Sequence, residues 1–358
     1  MNFSIGNSLE AVVLIYSLSY KNMTNNQVTV SREQQLLHKV VIINGFPGCG
    51  KTMLSPIISA FDRVEIMQFA FLIEQMCELK GINRIDNDVA ESMIKMNADL
   101  LLYNVMMGRQ SNCRPSDLSS IFKHKPLKHI RRMLSSGDRT ILKIIEEKKP
   151  ILHLTTHMLL PSTQLLFKAL KEKLIFIELV RHPLYMIIQH EMNFNMFESP
   201  RNQHTRFLYK NKEHTFFTYG HEEKYEKSNS YEKAIFSIDW YYSKLFSRDY
   251  DSSVEVIPFE RFVKYPDEFI AKFSSILESP LNKSVKKEMS RQKVPRNLVS
   301  DGLALEIYKR FGWQPSKTNN EQEELNIRRE HISKKISKEA LSLLDKMSKE
   351  YENLYGPI

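Results

Sequence analysis

Residues 45–52 have the types and spacing of a loop that binds a phosphate group. They read Gly-Phe-Pro-Gly-Cys-Gly-Lys-Thr, with Gly45 and Gly50 bracketing the turn and Lys51 and Thr52 closing it. Glycines let backbone N–H groups close around an anion, and the N-terminus of a following helix adds its positive end. The segment therefore predicts a phosphate-binding loop in which Lys51 contacts the phosphate oxygens.

Such a loop needs a strand before it and a helix after it, and the sequence supplies both. Residues 40–43 are a continuous β-branched run, typical of a parallel strand that is buried on both faces. Residues 52–61 continue as an apolar, helix-compatible segment. Pro56 removes a backbone donor there, and we expect it to kink or shorten the helix.

Two further predicted strands lead directly into residues that could do chemistry. Residues 150–154 are a short apolar run that leads to His157, and residues 174–180 run into Arg181. A helix-compatible segment separates the two runs, which predicts parallel strands joined by right-handed crossovers. Ligands of such sheets bind beyond the carboxyl ends of the strands. We therefore expect the 45–52 loop, His157 and Arg181 to share one edge.

The remaining pattern is helical, with one more strand. Apolar spacing predicts helices at residues 64–79, 86–108, 126–147, 231–246, 266–277 and 338–354, and a strand at 253–258. We expect the basic face of the third of these helices, with His129, Arg131 and Arg132, to be solvated.

The domain organisation follows from composition shifts along the chain. Residues 1–38 form a polar N-terminal extension, and residues 39–358 are predicted to be a single domain. Residues 192–231 are irregular and longer than an ordinary connection, so this stretch is a candidate substrate cover.

Composition limits the class of protein. Of the 358 residues, 42% are hydrophobic, and 51 basic residues face 42 acidic ones without a basic tail. This favours anionic ligands over a dedicated nucleic-acid binder. The cysteines Cys49, Cys77 and Cys113 have neither paired nor metal-binding spacing, which predicts a reducing, cytoplasmic location. Residues 11–18 are apolar but too short for a membrane span, and no signal peptide is expected.

A metal-holding acid is missing where a kinase or GTPase would carry one. Those enzymes place an acidic residue at the end of a second strand to hold Mg²⁺. Here Glu178 lies inside the predicted strand and Arg181 stands at its end. Cations can neutralise an anionic ligand without a metal, so we predict no metal site.

Four blocks of the sequence together resemble the sulfotransferases that use 3′-phosphoadenosine 5′-phosphosulfate (PAPS). The blocks are GFPGCGKT, TTHMLLP, LVRHPLYMIIQ and VIPFERFVKYPDEFIAKFSSILE, between residues 40 and 278. The resemblance implies an α/β fold of the P-loop NTPase type, with three layers, a mostly parallel sheet, helical insertions and a helical C-terminal segment. It also implies sulfuryl transfer from PAPS to a hydroxyl or amine of a small-molecule or carbohydrate acceptor.

The resemblance also assigns roles to residues. It implies that His157 deprotonates the acceptor and that Lys51 is catalytic. The residues it implies for binding PAPS are Pro47, Gly48, Cys49, Gly50, Lys51, Thr52, Arg181 and Gln189, with Arg181 on the 3′-phosphate.

Several positions depart from the family pattern. The family usually has Lys at position 48, Thr at position 51, Lys at position 155 and Ser at position 189, where this chain has Gly48, Lys51, Thr155 and Gln189. The family's C-terminal basic glycine loop is not evident. The candidates that could replace it by composition are Arg291, Lys293 and Arg296.

Two other interpretations stay open. The Lys51-Thr52 ending is that of a P-loop kinase or another NTP-dependent phosphotransferase. The departures at Gly48, Thr155 and Gln189 are also compatible with a nucleotide-binding protein without catalysis. His157 could equally be a structural histidine at a strand end. The acceptor and the oligomeric state are not set by the sequence.

Overall fold

The computed structural model describes residues 28–117, 119–135, 137–197, 202–302 and 318–357. Its described part is built on a sheet of five strands in the order β2-β3-β1-β4-β7. The strands are β1 (Lys39–Asn44), β2 (Gln68–Phe69), β3 (Ile151–Thr155), β4 (Leu174–Val180) and β7 (Glu255–Pro258). All four pairings between them are parallel. The predicted α/β class is thus confirmed.

Helices cover both faces of this sheet. The side chains of Val40, Val41, Ile42 and Ile43 in β1 are all completely buried. Because successive side chains of a strand point to opposite faces, burial of all four requires a layer on each side. The result is the expected three-layer arrangement.

The helices have the following bounds. In chain order they are α1 (Lys51–Ser59), α2 (Phe71–Gly81), α3 (Asn87–Met107), α4 (Pro126–Met133), α5 (Asp138–Lys148), α6 (Thr163–Leu170), α7 (Pro183–Phe197), α8 (Glu222–Glu226), α9 (Ser230–Ser247), α10 (Phe259–Lys264), α11 (Asp267–Ile276), α12 (Lys283–Arg291), α13 (Glu321–Ser333) and α14 (Lys338–Tyr355). Pro56 lies inside α1, which ends three residues later.

Parallel pairing brings the carboxyl ends of the strands to one edge. Ile43 of β1 is paired with Thr155 of β3, and Asn44 is paired with Glu178 of β4. The loops that follow these strands therefore begin side by side, as expected for the 45–52 loop, His157 and Arg181.

Two predicted helices differ from the structure. Within residues 64–79, Val64 pairs with Ile151 and Gln68–Phe69 form β2, so the helix begins only at Phe71. The apolar spacing did not separate a short strand from the helix after it. Residues 126–147 form two helices, α4 and α5, rather than one.

The predicted substrate cover contains its own small sheet. Strands β5 (Arg206–Tyr209) and β6 (Lys212–Thr215) form an antiparallel hairpin, which the 3₁₀ turn Phe216–Thr218 and helix α8 follow. Its first residues, from 192 to 197, belong to α7. The role of this stretch as a cover stays a prediction.

Residues 28–38 run along α3 before the chain enters β1. The backbone N–H of Val30 donates to Asp88 at 2.8 Å, and that of Leu37 donates to Asp99 at 3.0 Å. The apolar run at 11–18 lies outside the described residues, and the domain boundary at residue 38 stays a prediction. None of the helices described in the structure combines the length and apolar character needed to cross a membrane.

Candidate active site

The 45–52 loop joins the carboxyl end of β1 to the start of α1. Gly50 precedes the helix with a φ of 106°. Among the residues that the structure describes, no acceptor is present for the backbone N–H groups of Gly48, Gly50 and Thr52, while the N–H of Lys51 is bonded to the Cys49 sulfur. Three free donors at the positive end of a helix make this loop suitable for binding an anion.

Two of its glycines are required by close contacts. A Cβ atom on Gly45 would lie 2.4 Å from the carbonyl oxygen of Leu179, and one on Gly50 would lie 2.3 Å from the Phe259 ring. Both glycines also have positive φ values, of 149° and 106°. The loop can follow this path only with glycine at both positions.

Lys51 folds back onto the loop. Its Nζ atom donates to the carbonyl oxygens of Gly45 at 2.6 Å and Phe46 at 3.2 Å, and the residue is only 6% exposed. These are neutral partners that phosphate oxygens could replace. Burial raises the pKa of the neighbouring Cys49 thiol, so this side chain stays protonated at neutral pH, and its backbone N–H donates to Phe46 at 3.2 Å.

His157 lies just beyond β3, on a turn that is tied to the loop. Thr156 N–H donates to the carbonyl of Ile43 at 3.1 Å, and Met158 N–H donates to that of Gly45 at 3.4 Å. The two residues that flank His157 are therefore bonded to β1 and to the 45–52 loop. Strand pairing and these two bonds place its imidazole at the loop.

Glu74 of α2 holds His157 in place. One carboxylate oxygen, Oε1, accepts the His157 backbone N–H at 2.8 Å and lies 3.1 Å from its Nδ1. Burial acts to raise the pKa of Glu74, yet its interactions with His157 and the charge of His204 leave that pKa below the ordinary value. The carboxylate is thus ionised at neutral pH.

The protonation of His157 follows from its surroundings. Burial and the positive charge of Lys51 lower the pKa of His157, although Glu74 acts in the opposite direction. The ring is therefore neutral at neutral pH. Since ionised Glu74 can only accept, Nδ1 carries the proton and Nε2 keeps a lone pair. His157 has the tautomer that a general base needs.

A second histidine pair lies beside the first. His204 Nδ1 is 2.6 Å from Oε1 of Glu78, and the His157 and His204 ring centres are 6.3 Å apart. Burial lowers the pKa of His204, but the hydrogen bond and charge of Glu78 outweigh it, so this pKa is raised. One histidine is thus held neutral, while its neighbour is the more readily protonated one.

Neither glutamate is among the site residues predicted from the sequence. Glu74 and Glu78 are four residues apart, and so share one face of α2, but nothing in the sequence indicates which strand end that face meets. Ligand atoms of Glu74, Glu78 and His204 lie within 4.8 Å of one another, a spacing that could hold a metal ion. The absence of a metal site stays a prediction.

Arg181 follows β4 and reaches the loop. Its Nη1 donates to the carbonyl of Gly48 at 3.0 Å, and its guanidinium carbon lies 4.4 Å from the centre of the Phe259 ring and 4.8 Å from that of Tyr185. In the described part of the chain its buried Nε has no hydrogen-bond partner, and Glu260 is 4.0 Å away. Arg181 therefore keeps donor capacity for a ligand.

Arg296 is the second cation against Phe259. Its guanidinium carbon lies 5.5 Å from the centre of that ring. Burial and the nearby charge of Arg181 lower its pKa to about 10, so it stays charged at neutral pH. Of the three candidates that could replace the family's basic C-terminal loop, Arg291 and Lys293 are exposed, and only Arg296 lies against Phe259.

Gln189, on α7, lies over the loop. A Cβ atom on Gly48 would be 3.2 Å from its Oε1 atom. Lysine, the usual residue of the family at position 48, would meet this amide. The glycine and the glutamine thus fit each other, and both departures from the family pattern occur at one contact.

A buried network lies behind the loop. Asn44 donates to Glu178 at 2.6 Å and accepts from the Thr156 hydroxyl at 2.9 Å, while the Tyr241 hydroxyl donates to Glu178 at 2.7 Å. Burial raises the pKa of Glu178 to about 7. This network connects the ends of β1, β3 and β4, and it fixes the residue next to His157.

The carboxylate at the end of β7 is engaged with protein groups. Oε1 of Glu260 accepts the His182 backbone N–H at 3.0 Å, and its Oε2 accepts the Tyr351 hydroxyl at 2.6 Å. Glu260 therefore connects α7 and α14 to this edge, and Arg181 stands at the end of β4, as the sequence indicates.

Comparisons with known proteins give only distant similarities. No protein-family model matches the chain, and no curated protein matches it. Among solved structures, it is similar to the sulfotransferase domain of the olefin synthase from Synechococcus PCC 7002. The identity is 11%, the TM-score is 0.43, and the match covers 89% of this chain and 96% of that domain.

Two more solved structures are similar at the same level. Sulfotransferase STF9 from Mycobacterium avium has 10% identity and a TM-score of 0.37, over 96% of this chain and 81% of its own. The sulfotransferase domain from the curacin biosynthetic pathway has 13% identity and a TM-score of 0.35, over 84% and 99%. These values are too low to assign an activity, so we base the proposal below on the site.

Proposed function

We propose that the chain is a sulfotransferase that transfers a sulfuryl group from PAPS to a hydroxyl or amine. The observation that carries this proposal is the pair of cations at Phe259. This ring packs against Gly50 and has Arg181 and Arg296 around it. The edge thus offers two places for anions, the loop donors and the arginine pair.

Two neighbouring groups of anion-binding residues favour one kind of nucleotide. ATP carries all its charge in one phosphate chain, whereas PAPS carries a phosphosulfate at the 5′ position and a phosphate at the 3′ position of the ribose. The 45–52 loop suits the first group, and Arg181 with Arg296 suits the second, because guanidinium groups pair strongly with phosphate. Gln189 can add a hydrogen bond from its amide.

The chain's own residues can supply the proton transfer and the charge stabilisation. Nε2 of His157 accepts the proton of the acceptor O–H or N–H, whose lone pair forms the new bond to sulfur. The bond between sulfur and the 5′-phosphate oxygen breaks, and the electron pair stays on that oxygen. Lys51 and the loop N–H groups stabilise the charge that develops there.

The acceptor is a small molecule or a carbohydrate in this proposal, and no metal takes part. The stretch 192–231 brings His204 close to His157, so acceptors would bind between this stretch and the loop. The free state of Cys49, Cys77 and Cys113 is compatible with a reducing, cytoplasmic location.

Transfer of labelled sulfate tests the proposal directly. Purified protein is incubated with ³⁵S-labelled PAPS and a panel of phenols, sugars, sterols and amines, and labelled product is measured together with released 3′,5′-adenosine bisphosphate. We expect stoichiometric formation of both. The variant His157→Gln should lose about 10²- to 10⁴-fold in rate while it keeps its nucleotide affinity.

The same assay separates the other interpretations. Label transfer from γ-³²P-ATP in the presence of Mg²⁺, with none from PAPS, would identify a phosphotransferase. Binding of 3′,5′-adenosine bisphosphate with no transfer to any acceptor would favour a nucleotide-binding protein without catalysis.

A further inference from the structure

A second cleft lies at the opposite edge of the sheet from the 45–52 loop. It has a volume of about 490 Å³, and Pro150, directly before β3, lines it. Arg63, also in its wall, accepts the Ile151 N–H at the amino end of β3. The five residues of β3 span roughly 16 Å, so the cleft is well separated from His157.

Basic side chains dominate the polar lining of this cleft. One carboxylate, Glu65, faces five cations, which are Arg63, Lys128, Arg131, Arg132 and Lys148. Glu65 is buried and uses only two of them, since Lys128 binds it at 2.9 Å and Arg132 at 2.7 Å. Burial opposes its ionisation, but the hydrogen bond and charge of Arg132 and the charge of Lys128 lower the pKa of Glu65 to about 2.

Glu65 does not neutralise the other three cations. Arg131 and Lys148 form no ion pair or hydrogen bond in the part of the chain that the structure describes. Arg63 has only a contact of 4.0 Å with Glu278. We expected this basic face to be solvated, which is wrong for His129, which is buried, and for Arg132, which pairs with Glu65.

Apolar side chains form the rest of the wall. Met106, Ile141 and Ile144 line the cleft from helices α3 and α5. Next to the lining residue Ser135, Leu134 is 83% exposed, and Leu127 of α4 is 69% exposed. Each of these leucines is next in sequence to a lining residue, Lys128 or Ser135, so both add apolar surface beside the cleft.

We propose that this cleft binds an amphipathic organic anion. Its acidic group pairs with Arg131 and Lys148, and its apolar body lies on Met106, Ile141 and Ile144. The volume is in the range of small-molecule sites. A free carboxylate, sulfate or phosphate amphiphile and the headgroup of an anionic lipid share this chemistry.

Fluorescence titration tests the site in the full-length protein. The probe is 8-anilinonaphthalene-1-sulfonate. Uncharged N-phenyl-1-naphthylamine, which has only the apolar part, and inorganic sulfate, which has only the anionic part, are the two comparison ligands. We expect one probe to bind per chain, and the double variant Arg131→Ala/Lys148→Ala to weaken it about 10-fold or more. Lys143→Ala, an exposed lysine on the same helix as Lys148 but outside the cleft, should leave binding unchanged.

Two results would overturn the proposal. The first is equal probe affinity in the wild type and the double variant. The second is displacement of the probe by 3′,5′-adenosine bisphosphate, since this would put the probe at the 45–52 loop. If the probe binds and that nucleotide does not displace it, the result supports the cleft whether or not the proposed sulfotransferase activity is correct.

Sedimentation with vesicles identifies the source of the anion. Binding to phosphatidylglycerol vesicles but not to phosphatidylcholine vesicles, lost in the double variant, supports the cleft with a lipid headgroup as ligand. Probe binding without vesicle binding supports it with a free amphiphile. Vesicle binding that the double variant retains, with unchanged probe affinity, contradicts the proposal.

Discussion

His157 and Glu74 are joined twice through a single oxygen atom. Oε1 of Glu74 accepts the His157 backbone N–H at 2.8 Å and lies 3.1 Å from the Nδ1 of the same residue. A single carboxylate thus fixes both the backbone and the ring, and it leaves Nε2 as the basic nitrogen. The protonation of His157 can therefore be tested in the free protein, without substrate or turnover.

Glu74→Gln should lower the pKa of His157 and allow both neutral tautomers of its ring to form. Glu74 raises that pKa in the wild type, so its removal allows burial and Lys51 to act unopposed. The measurement is ¹H–¹⁵N NMR of the imidazole as a function of pH. We expect a wild-type pKa below 6.5, a still lower value in the variant, and mixed tautomers there. An unchanged ring spectrum in the variant would show that Glu74 does not position His157.

Lys51→Ala should have the opposite effect on the same histidine. The charge of Lys51 lowers the pKa of His157, so the variant should raise it, and the acidic limb of the rate should move to higher pH. Sulfuryl transfer should fall about 10²-fold or more, because a donor to the leaving oxygen is lost. Lys39→Ala, at the amino end of β1, is the matched control. Near wild-type turnover of Lys51→Ala would refute the catalytic role.

Arg181→Ala and Arg296→Ala should each weaken the binding of 3′,5′-adenosine bisphosphate by about 10-fold or more, since each removes a charged hydrogen-bond donor. Their effect on 5′-AMP, which lacks the 3′-phosphate, should be much smaller. Isothermal titration calorimetry of both ligands measures the difference. Arg291→Ala, an exposed residue paired with Glu288, should bind as the wild type does. Equal losses for the two ligands would indicate that the arginines are structural.

Glu178→Gln should stabilise the protein at high pH. The pKa of Glu178 is raised to about 7 in the folded state from 4.5, so folding binds a proton and stability falls as pH rises between these values. The free energy of unfolding of the variant should exceed that of the wild type at pH 8 by an amount on the order of 3 kcal/mol. Chemical denaturation at pH 4 and pH 8 measures this. A difference independent of pH would contradict the assignment.

The sequence predicted the framework of the site because that framework is local. The strand, the loop and the helix follow one another directly: the apolar run of β1, the glycines at 45 and 50, and the helix that starts at Lys51. Their order and spacing in the sequence therefore determine how they are arranged. Parallel pairing then brings the residues after β3 and β4 to the same edge.

The partners of those residues could not be predicted in the same way. Glu74 is 83 positions from His157, and its carboxylate reaches the histidine only because α2 packs where it does. Arg296 meets Phe259 through another contact between segments that are distant in the sequence. The sequence shows which residues end the strands, but the pKa of each depends on packing from distant segments.

The central claim is most directly tested by nucleotide binding without a metal. We predict that 3′,5′-adenosine bisphosphate binds to the wild-type protein in EDTA, with an affinity at least about 10-fold higher than that of ATP, measured by calorimetry. That order is expected if the 45–52 loop and the Arg181–Arg296 pair each bind one anionic group. Tighter binding of ATP that requires Mg²⁺, with weak binding of the bisphosphate, would contradict the account.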